Sequence, residues 1–352
     1  MKRGLIEWDR QELPASTIEK RQARCRSLLA KSGLDGLLLY TDVWRSGQVR
    51  YLTNFIPYWN QGVLLFPASG EPILIAALSA RVYPWIKETS TLENVVSGAS
   101  LGADAAAQIK NLGWKRVGAG ELESLPQGIL NPLVSNLGEC ELTDATALLD
   151  SLRDRVDPGD LSLYRNARQL AEKGFEEVAS TLPGKSSWQV ASLLERALRR
   201  RGVTDTVILL APGGDSRWPA YPSDDTMTAS GFVVLSVEYK GHWVEMGRPA
   251  STIEPSLRET FARLTTALHQ NRSAEAVQRD VEREIPLSNT TLLISATHRS
   301  FPFTPIASLA GIPNGTVLSL HLSGLDRNGV RRWWAETLVK EGDGVVPLLS
   351  GG

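Results

Sequence analysis

The stretch Gly231-Phe-Val-Val-Leu-Ser-Val-Glu-Tyr-Lys-Gly-His-Trp-Val-Glu-Met-Gly-Arg248 reads as two apolar strands, 231–239 and 242–248, on either side of a turn glycine, Gly241. Further strands are expected at 207–211, 291–295, 316–322 and 332–340, with helices near 255–270 and 273–284 between them. An antiparallel sheet covered by helices is an α+β arrangement. Upstream, Thr143-Asp144 opens a helix bearing Ala147, Leu148, Leu149 and Leu152. Pro158-Gly159-Asp160 ends it and starts a long helix running to about Leu182. Trp188 to Arg201 is again amphipathic. The helices over 143–201 therefore lead into the second domain, and the boundary is expected at 142–143.

The first 142 residues read differently. A helix begins near Ser16-Thr17 and ends near Gly33, and Gly36-Leu-Leu-Leu-Tyr40 is a buried strand. Val63–Phe66 and Ile73–Ile75 flank the turn Ala68-Ser-Gly70 as a hairpin. A helix around 80–88, a strand near 94–97, a helix at 103–112 and a strand at 115–119 follow. Alternating strands and helices indicate an α/β layer.

Composition narrows the function classes. The 352 residues carry 38 Lys+Arg against 39 Asp+Glu, a net charge of −1, which gives no electrostatic footprint for nucleic acid or an anionic membrane. Two cysteines, Cys25 and Cys140, exclude a disulfide framework. No run approaches the roughly 18 apolar residues of a membrane span. The basic Met1-Lys-Arg start is followed by Trp8-Asp9-Arg10 rather than an apolar signal region, so a cytoplasmic location is expected. Pro212-Gly-Gly214 lacks a following Lys-Ser/Thr and is not a phosphate loop. Pro222-Ser-Asp-Asp225 reads as a turn.

Several stretches, in order, resemble the creatinase / aminopeptidase P / methionine aminopeptidase superfamily, the pita-bread fold. They are Ala147–Arg153 through Tyr164-Arg-Asn-Ala-Arg168, and Leu209–Gly213 through Trp218-Pro-Ala-Tyr-Pro-Ser-Asp224. The hairpin quoted above, Asn314–Leu320 and Trp334-Ala-Glu-Thr-Leu-Val339 complete the series. The resemblance covers nearly the whole chain. It implies a creatinase-type α/β N-terminal domain, 1–142, and a pita-bread α+β domain, 143–352.

Active peptidases of that family hold two divalent metals with two Asp, one His and two Glu. On that frame the first Asp falls at Val234, which cannot ligate, and the second at Glu245. The two Glu positions fall at His321 and Glu336, and the proton-relay His at Ala220. His298 suits the substrate-facing His better than the ligand His. The resemblance thus implies a degenerate site without ordinary two-metal aminopeptidase activity. No cofactor is expected; one divalent ion on Glu245, His321 and Glu336 is a disfavoured arrangement.

The candidate catalytic residues are Glu245 and Glu336 as an acid/base pair, with His321 and His298 polarising the substrate. Candidate substrate contacts are Trp59, Gln61, Trp218, Tyr221, His242, Trp243, Arg248 and Trp334. Trp59 and Gln61 take the place of the creatinase loop that reaches a neighbouring subunit. A pocket lined by Trp218, Trp243, Trp333 and Trp334 suits a cationic or aromatic ligand. Each feature also has a plainer reading. Glu245 and Glu336 fit structural ion pairs with Arg248, Arg331 or Arg332, His321 fits a core histidine, and His242 fits a solvated residue beside the turn. Two functions follow: a divergent hydrolase of a small-molecule C–N bond, or an inactive binding subunit. In either case a homodimer, or a heterodimer with an active homologue, is expected.

Overall fold

The computed structural model describes residues 7–153, 156–213, 215, 217–250, 279, 288–296, 304–306, 312–342 and 344–349. Apart from residue 279, which is helical, the expected helices at 255–270 and 273–284, and His298, lie outside the described residues. The chain divides into two compact units, Met1–Arg153 and Asp154–Gly352.

The first unit runs α1 (Ala15–Ser32), β1 (Gly36–Asp42), α2 (Gly47–Thr53), β2 (Gln61–Pro67), β3 (Ile73–Ala76), α3 (Tyr83–Thr89) and β4 (Asn94–Ser97). It continues through α4 (Leu101–Asn111), β5 (Arg116–Ala119), α5 (Gln127–Leu137), β6 (Glu141–Asp144) and α6 (Thr146–Arg153). Its sheet has the order β4-β3-β2-β1-β5-β6. Register explains why β1 is apolar without alternation. Leu37 and Leu39 pair with Phe66 and Leu64, on the face packed against Cys25, Leu29, Leu149 and Leu152. Leu38 pairs with Leu65 and faces Leu101, Ala105, Ile109 and Leu133 of α4 and α5. Both faces are covered, so the consecutive positions Leu37, Leu38 and Leu39 are all apolar. The unit extends past the expected boundary at 142 because β6 pairs with β5, and α6 buries Leu149 and Leu152 in the same core.

The second unit begins with α7 (Pro158–Val178) and α8 (Ser187–Arg199). Asp157, not Asp160, caps α7, accepting the Asp160 N–H at 3.0 Å. Ser186 and Gln189 form a reciprocal capping box at α8. The strands are β7 (Asp205–Ala211), β8 (Phe232–Tyr239), β9 (His242–Pro249), β10 (Ser288–Ala296), β11 (Thr304–Ile306), β12 (Val317–Leu325), β13 (Arg331–Glu341) and β14 (Gly344–Pro347). Their order is β11-β10-β12-β13-β9-β8-β7, with β14 paired to β13. The β8–β9 turn has positive φ at both Lys240 (48°) and Gly241 (86°), the geometry of a type I′ hairpin. Its register, Tyr239 with His242 through Phe232 with Pro249, sets one face of both strands against α7. Tyr164, Ala167, Ala171, Phe175 and Val178, spaced as one helical stripe, pack with Val233, Leu235, Val237, Val244 and Met246.

His242 is buried rather than solvated. Its Nε2 lies 2.6 Å from Asp160 Oδ1 and its Nδ1 lies 3.1 Å from the Lys240 carbonyl. Tyr164 meets the ring edge-on at 4.8 Å. These contacts pin the hairpin turn to the first turn of α7. The variant Asp160→Ala is expected to lose about 2–4 kcal/mol of stability, because it strips a buried partner from a histidine. Urea unfolding reads this; a loss under about 0.5 kcal/mol would show that the contact is idle. No helix among the described residues is long and apolar enough to cross a membrane.

Candidate functional site

Strand alternation separates the candidate residues. Glu336 pairs with Met246 and Ala335 with Gly247 across β13 and β9. Met246 belongs to the core under α7, so its registered partner Glu336 faces that helix too. Glu245, one residue before Met246, therefore faces the other way. His321 pairs with Ala335 and shares the face of Glu245.

On that second face His321 Nε2 lies 2.7 Å from Glu245 Oε2. Both side chains are largely buried, with 12% and 9% of their surfaces exposed. The backbone of Glu245 is held by Thr337, whose hydroxyl accepts its N–H at 2.7 Å and donates to its carbonyl at 3.1 Å. Trp333 stands edge-to-face to His321, with centroids 6.0 Å apart. Trp218, half exposed, stands edge-to-face to Trp333 at 5.2 Å, and the Arg331 guanidinium stacks 4.0 Å over its ring. Burial lowers the Arg331 pKa from its ordinary value. An aromatic series thus runs from the half-exposed Trp218 through Trp333 to the buried His321–Glu245 pair.

Gly247 makes this packing possible. A Cβ there would sit 2.6 Å from the Ala335 backbone nitrogen and 3.0 Å from Trp333 Cδ1. The variant Gly247→Ala is expected to lose about 1–3 kcal/mol by overpacking, since the nearest atom is backbone and cannot rotate aside. A wild-type melting temperature in this variant would contradict that reading.

Under α7 the chemistry is different. Arg168 donates from Nε and Nη2 to the two oxygens of Glu336, the latter at 3.0 Å. Arg248 Nη2 donates to Glu336 Oε2 at 2.6 Å, while its Nη1 serves the carbonyls of Gly247 and Ala335. Glu172 joins through Arg168 at 2.5 Å, and Arg248 stacks 4.5 Å from the Trp334 ring centroid. Burial alone would raise the Glu336 pKa, but the two guanidinium groups hold it below the usual carboxylate range. Burial would lower that of Arg168; Glu336 and Glu172 reverse this and raise it.

The structure thus unites Glu245 and His321 and places Glu336 with arginines on the opposite face of the sheet. The ion-pair reading of Glu336 with Arg248 is realised, whereas Arg332 pairs with Asp326 at 2.7 Å. Arg248 and Trp334 belong to the α7 cluster, and His242 to the hairpin anchor. Trp218 and Trp334, expected to line a pocket for a cationic or aromatic ligand, are instead stacked by the chain's own Arg331 and Arg248. Trp243 is partly buried and Tyr221 is 73% exposed. Val234 lies on the Glu245 face, and Ala220 bridges to Leu210 of β7. In the first unit, Trp59 is half exposed against Tyr58, and Gln61 accepts from the Tyr40 hydroxyl at 2.9 Å. Among the described residues no three His, Cys, Asp or Glu side chains are placed to hold a metal ion. Trp333 was expected only as a pocket wall and Arg331 only as an ion-pair partner, and Thr337 and Arg168 were not expected at the site at all; strand register brings Thr337 to Glu245, and the packing of α7 brings Arg168 to Glu336.

Residues 21–154 match the Creatinase/Prolidase N-terminal domain. No curated protein sequence matches the chain. Solved structures match over nearly all of it. The Xaa-Pro dipeptidase from Bacillus anthracis superposes with a TM-score of 0.74 at 18% identity, covering 95% of this chain and 98% of its own. The X-Pro aminopeptidase from Thermotoga maritima MSB8 gives 0.74 at 16% identity, with 94% and 98% covered. The prolidase from Pyrococcus horikoshii OT3 gives 0.70 at 16% identity, with 94% and 97% covered. Residues 21–154 thus match a creatinase/prolidase N-terminal domain, and over nearly its whole length the chain has the fold of these solved Xaa-Pro peptidases and prolidases.

Proposed function

We propose that the chain hydrolyses a C–N bond in small amide-type compounds, with Glu245 and His321 as its acid–base unit. The observation that carries this reading is the 2.7 Å approach of His321 Nε2 to Glu245 Oε2 beside a half-exposed aromatic wall. The two atoms are close but not aligned as a hydrogen bond, and Glu245 Oε2 has no hydrogen-bond partner among the described residues; a rotation of the ring that aligns them would keep the proton on Nε2 and leave Nδ1 as the base. His321 then takes a proton from the attacking water at Nδ1, and Glu245 stabilises the resulting imidazolium. As the C–N bond breaks, the same proton passes to the leaving nitrogen. The products are an acid and an amine, and the imidazole is regenerated neutral.

The reading excludes Glu336 from proton transfer. Both of its oxygens are taken by Arg168 and Arg248, and it faces α7 rather than His321. The family's two divalent ions do not fit this donor set. Val234 offers no donor atom, the carboxylates of Glu245 and Glu336 lie on opposite faces, and two cations already neutralise Glu336. The capture of Glu336 also favours a second reading, an inactive subunit that binds a small molecule and pairs with a second copy or an active homologue.

Amine release from a panel of dipeptides, N-acyl amino acids and ureido compounds distinguishes these readings. Turnover that survives chelation supports the Glu245–His321 hydrolase. Activity that appears only on adding a divalent metal would overturn it. Saturable binding of a panel member without turnover would favour the inactive subunit.

A further inference from the structure

Among the described residues the indole Nε1 of Trp333 is a buried donor with no hydrogen-bond partner. Buried tryptophan N–H groups usually find an acceptor, and leaving one unmade costs about 1–3 kcal/mol. Such an orphan calls for an explanation, and its position supplies one. Trp333 pairs with Ser323 and lies on the same face of β13 as Ala335, the face of His321 and Glu245. Its ring stands edge-to-face to His321. Cδ1, the carbon bonded to Nε1, is the ring atom nearest the Cβ position of Gly247, two residues along β9 from Glu245. The Cδ1 edge of the ring therefore lies on the β9 side, and the ring as a whole stands next to His321. Trp218 meets the same indole edge-to-face.

We propose that Trp333 Nε1 is the substrate-binding donor of this site and that it selects a neutral carbonyl, as in an amide or ureido group. An indole N–H gives one hydrogen bond and carries no charge. The nearby Glu245 carboxylate disfavours an anionic acceptor in the same space. When water adds to the carbonyl carbon, its oxygen gains negative charge and the Trp333 hydrogen bond strengthens. The electron pair returns from that oxygen as the C–N bond breaks, so the donor binds the transition state better than the substrate. The catalytic part of this assignment rests on the Glu245–His321 reading; the binding part does not.

Indole N–H resonances of the full chain, labelled with ¹⁵N-tryptophan, test the binding part directly. N-methylacetamide is the probe and acetate the control. The expected result is a saturable downfield shift of the Trp333 indole proton with N-methylacetamide and a weaker response to acetate. The resonance is assigned by its loss in Trp333→Phe, or by its NOE to the His321 ring should that variant fold poorly. No shift with the amide, or an equal shift with acetate, overturns the proposal. For any panel member that is turned over, Trp333→Phe is expected to lower kcat roughly 10–100-fold and to change KM less than about threefold. An unchanged kcat would remove the catalytic part. Failure of all turnover with the shift intact would sink the hydrolase reading alone.

Discussion

Replacing Glu336 by Ala is expected to lower the unfolding free energy by about 3–5 kcal/mol, the range for breaking a buried charge pair by removing one partner. Arg168 and Arg248 are each 4% exposed, and both direct guanidinium nitrogens at this carboxylate. Without it they remain buried with Glu172 as their counter-charge among the described residues. Glutamine is expected to recover part of the packing but not the charge. The wild type carries a matching pH signature. The folded-state pKa of Glu336 lies below its ordinary value of 4.5. Its contribution is therefore complete above that value and lost as the pH falls through the depressed folded pKa. The gap in unfolding free energy between wild type and Glu336→Gln should be widest near neutrality and narrow below about pH 4. A pH-independent gap would show that the charge of Glu336 contributes nothing.

The second large effect concerns chemistry. His321→Asn and Glu245→Gln are each expected to reduce kcat by about 10²–10⁴-fold on any substrate the wild type hydrolyses, the usual weight of a positioned acid–base group. Because the two side chains act as one unit, the double variant should be little worse than His321→Asn. Glu336→Gln, measured where it is folded, should retain kcat within about tenfold, since Glu336 faces α7. Loss of turnover in Glu336→Gln equal to that in Glu245→Gln would overturn the division of labour between the two carboxylates. Additive losses at Glu245 and His321 would show that they do not act together.

Much of the fold is legible in the residues because it depends on local patterns. The buried run at 36–40, the hairpin at 63–75 and the strands flanking Gly241 all form where expected. So does the long helix behind Pro158, whose apolar stripe is visible without any partner. The elements that escaped have weak local signals. Helix α5 contains Pro132 and follows Pro126; α2 is one short helix beginning at Gly47; β6 buries little of its own surface. Packing overrides propensity in each, as the burial of Ile129 and Leu133 in α5 shows. The domain boundary shifted for the same reason, since β6 is held by its pairing to β5 rather than by its own sequence.

The candidate site was legible only as a set of names. The resemblance placed Glu245, His321 and Glu336 at corresponding ligand positions, and chain order alone cannot say which face each one takes. That depends on register between strands far apart in sequence, and a one-residue step reverses the face. The pairing of Met246 with Glu336 sends Glu336 to Arg168 and Arg248, while Glu245 turns to His321. The residues by themselves determined the two domains, the hairpin and the absence of a donor atom at Val234, because these follow from side-chain chemistry and local periodicity. Only the tertiary structure decided which carboxylate meets the histidine and which is neutralised by arginine. Sheet register and the helix packed beneath it are properties of the folded chain, and they set the charge and hydrogen bonding that each carboxylate experiences.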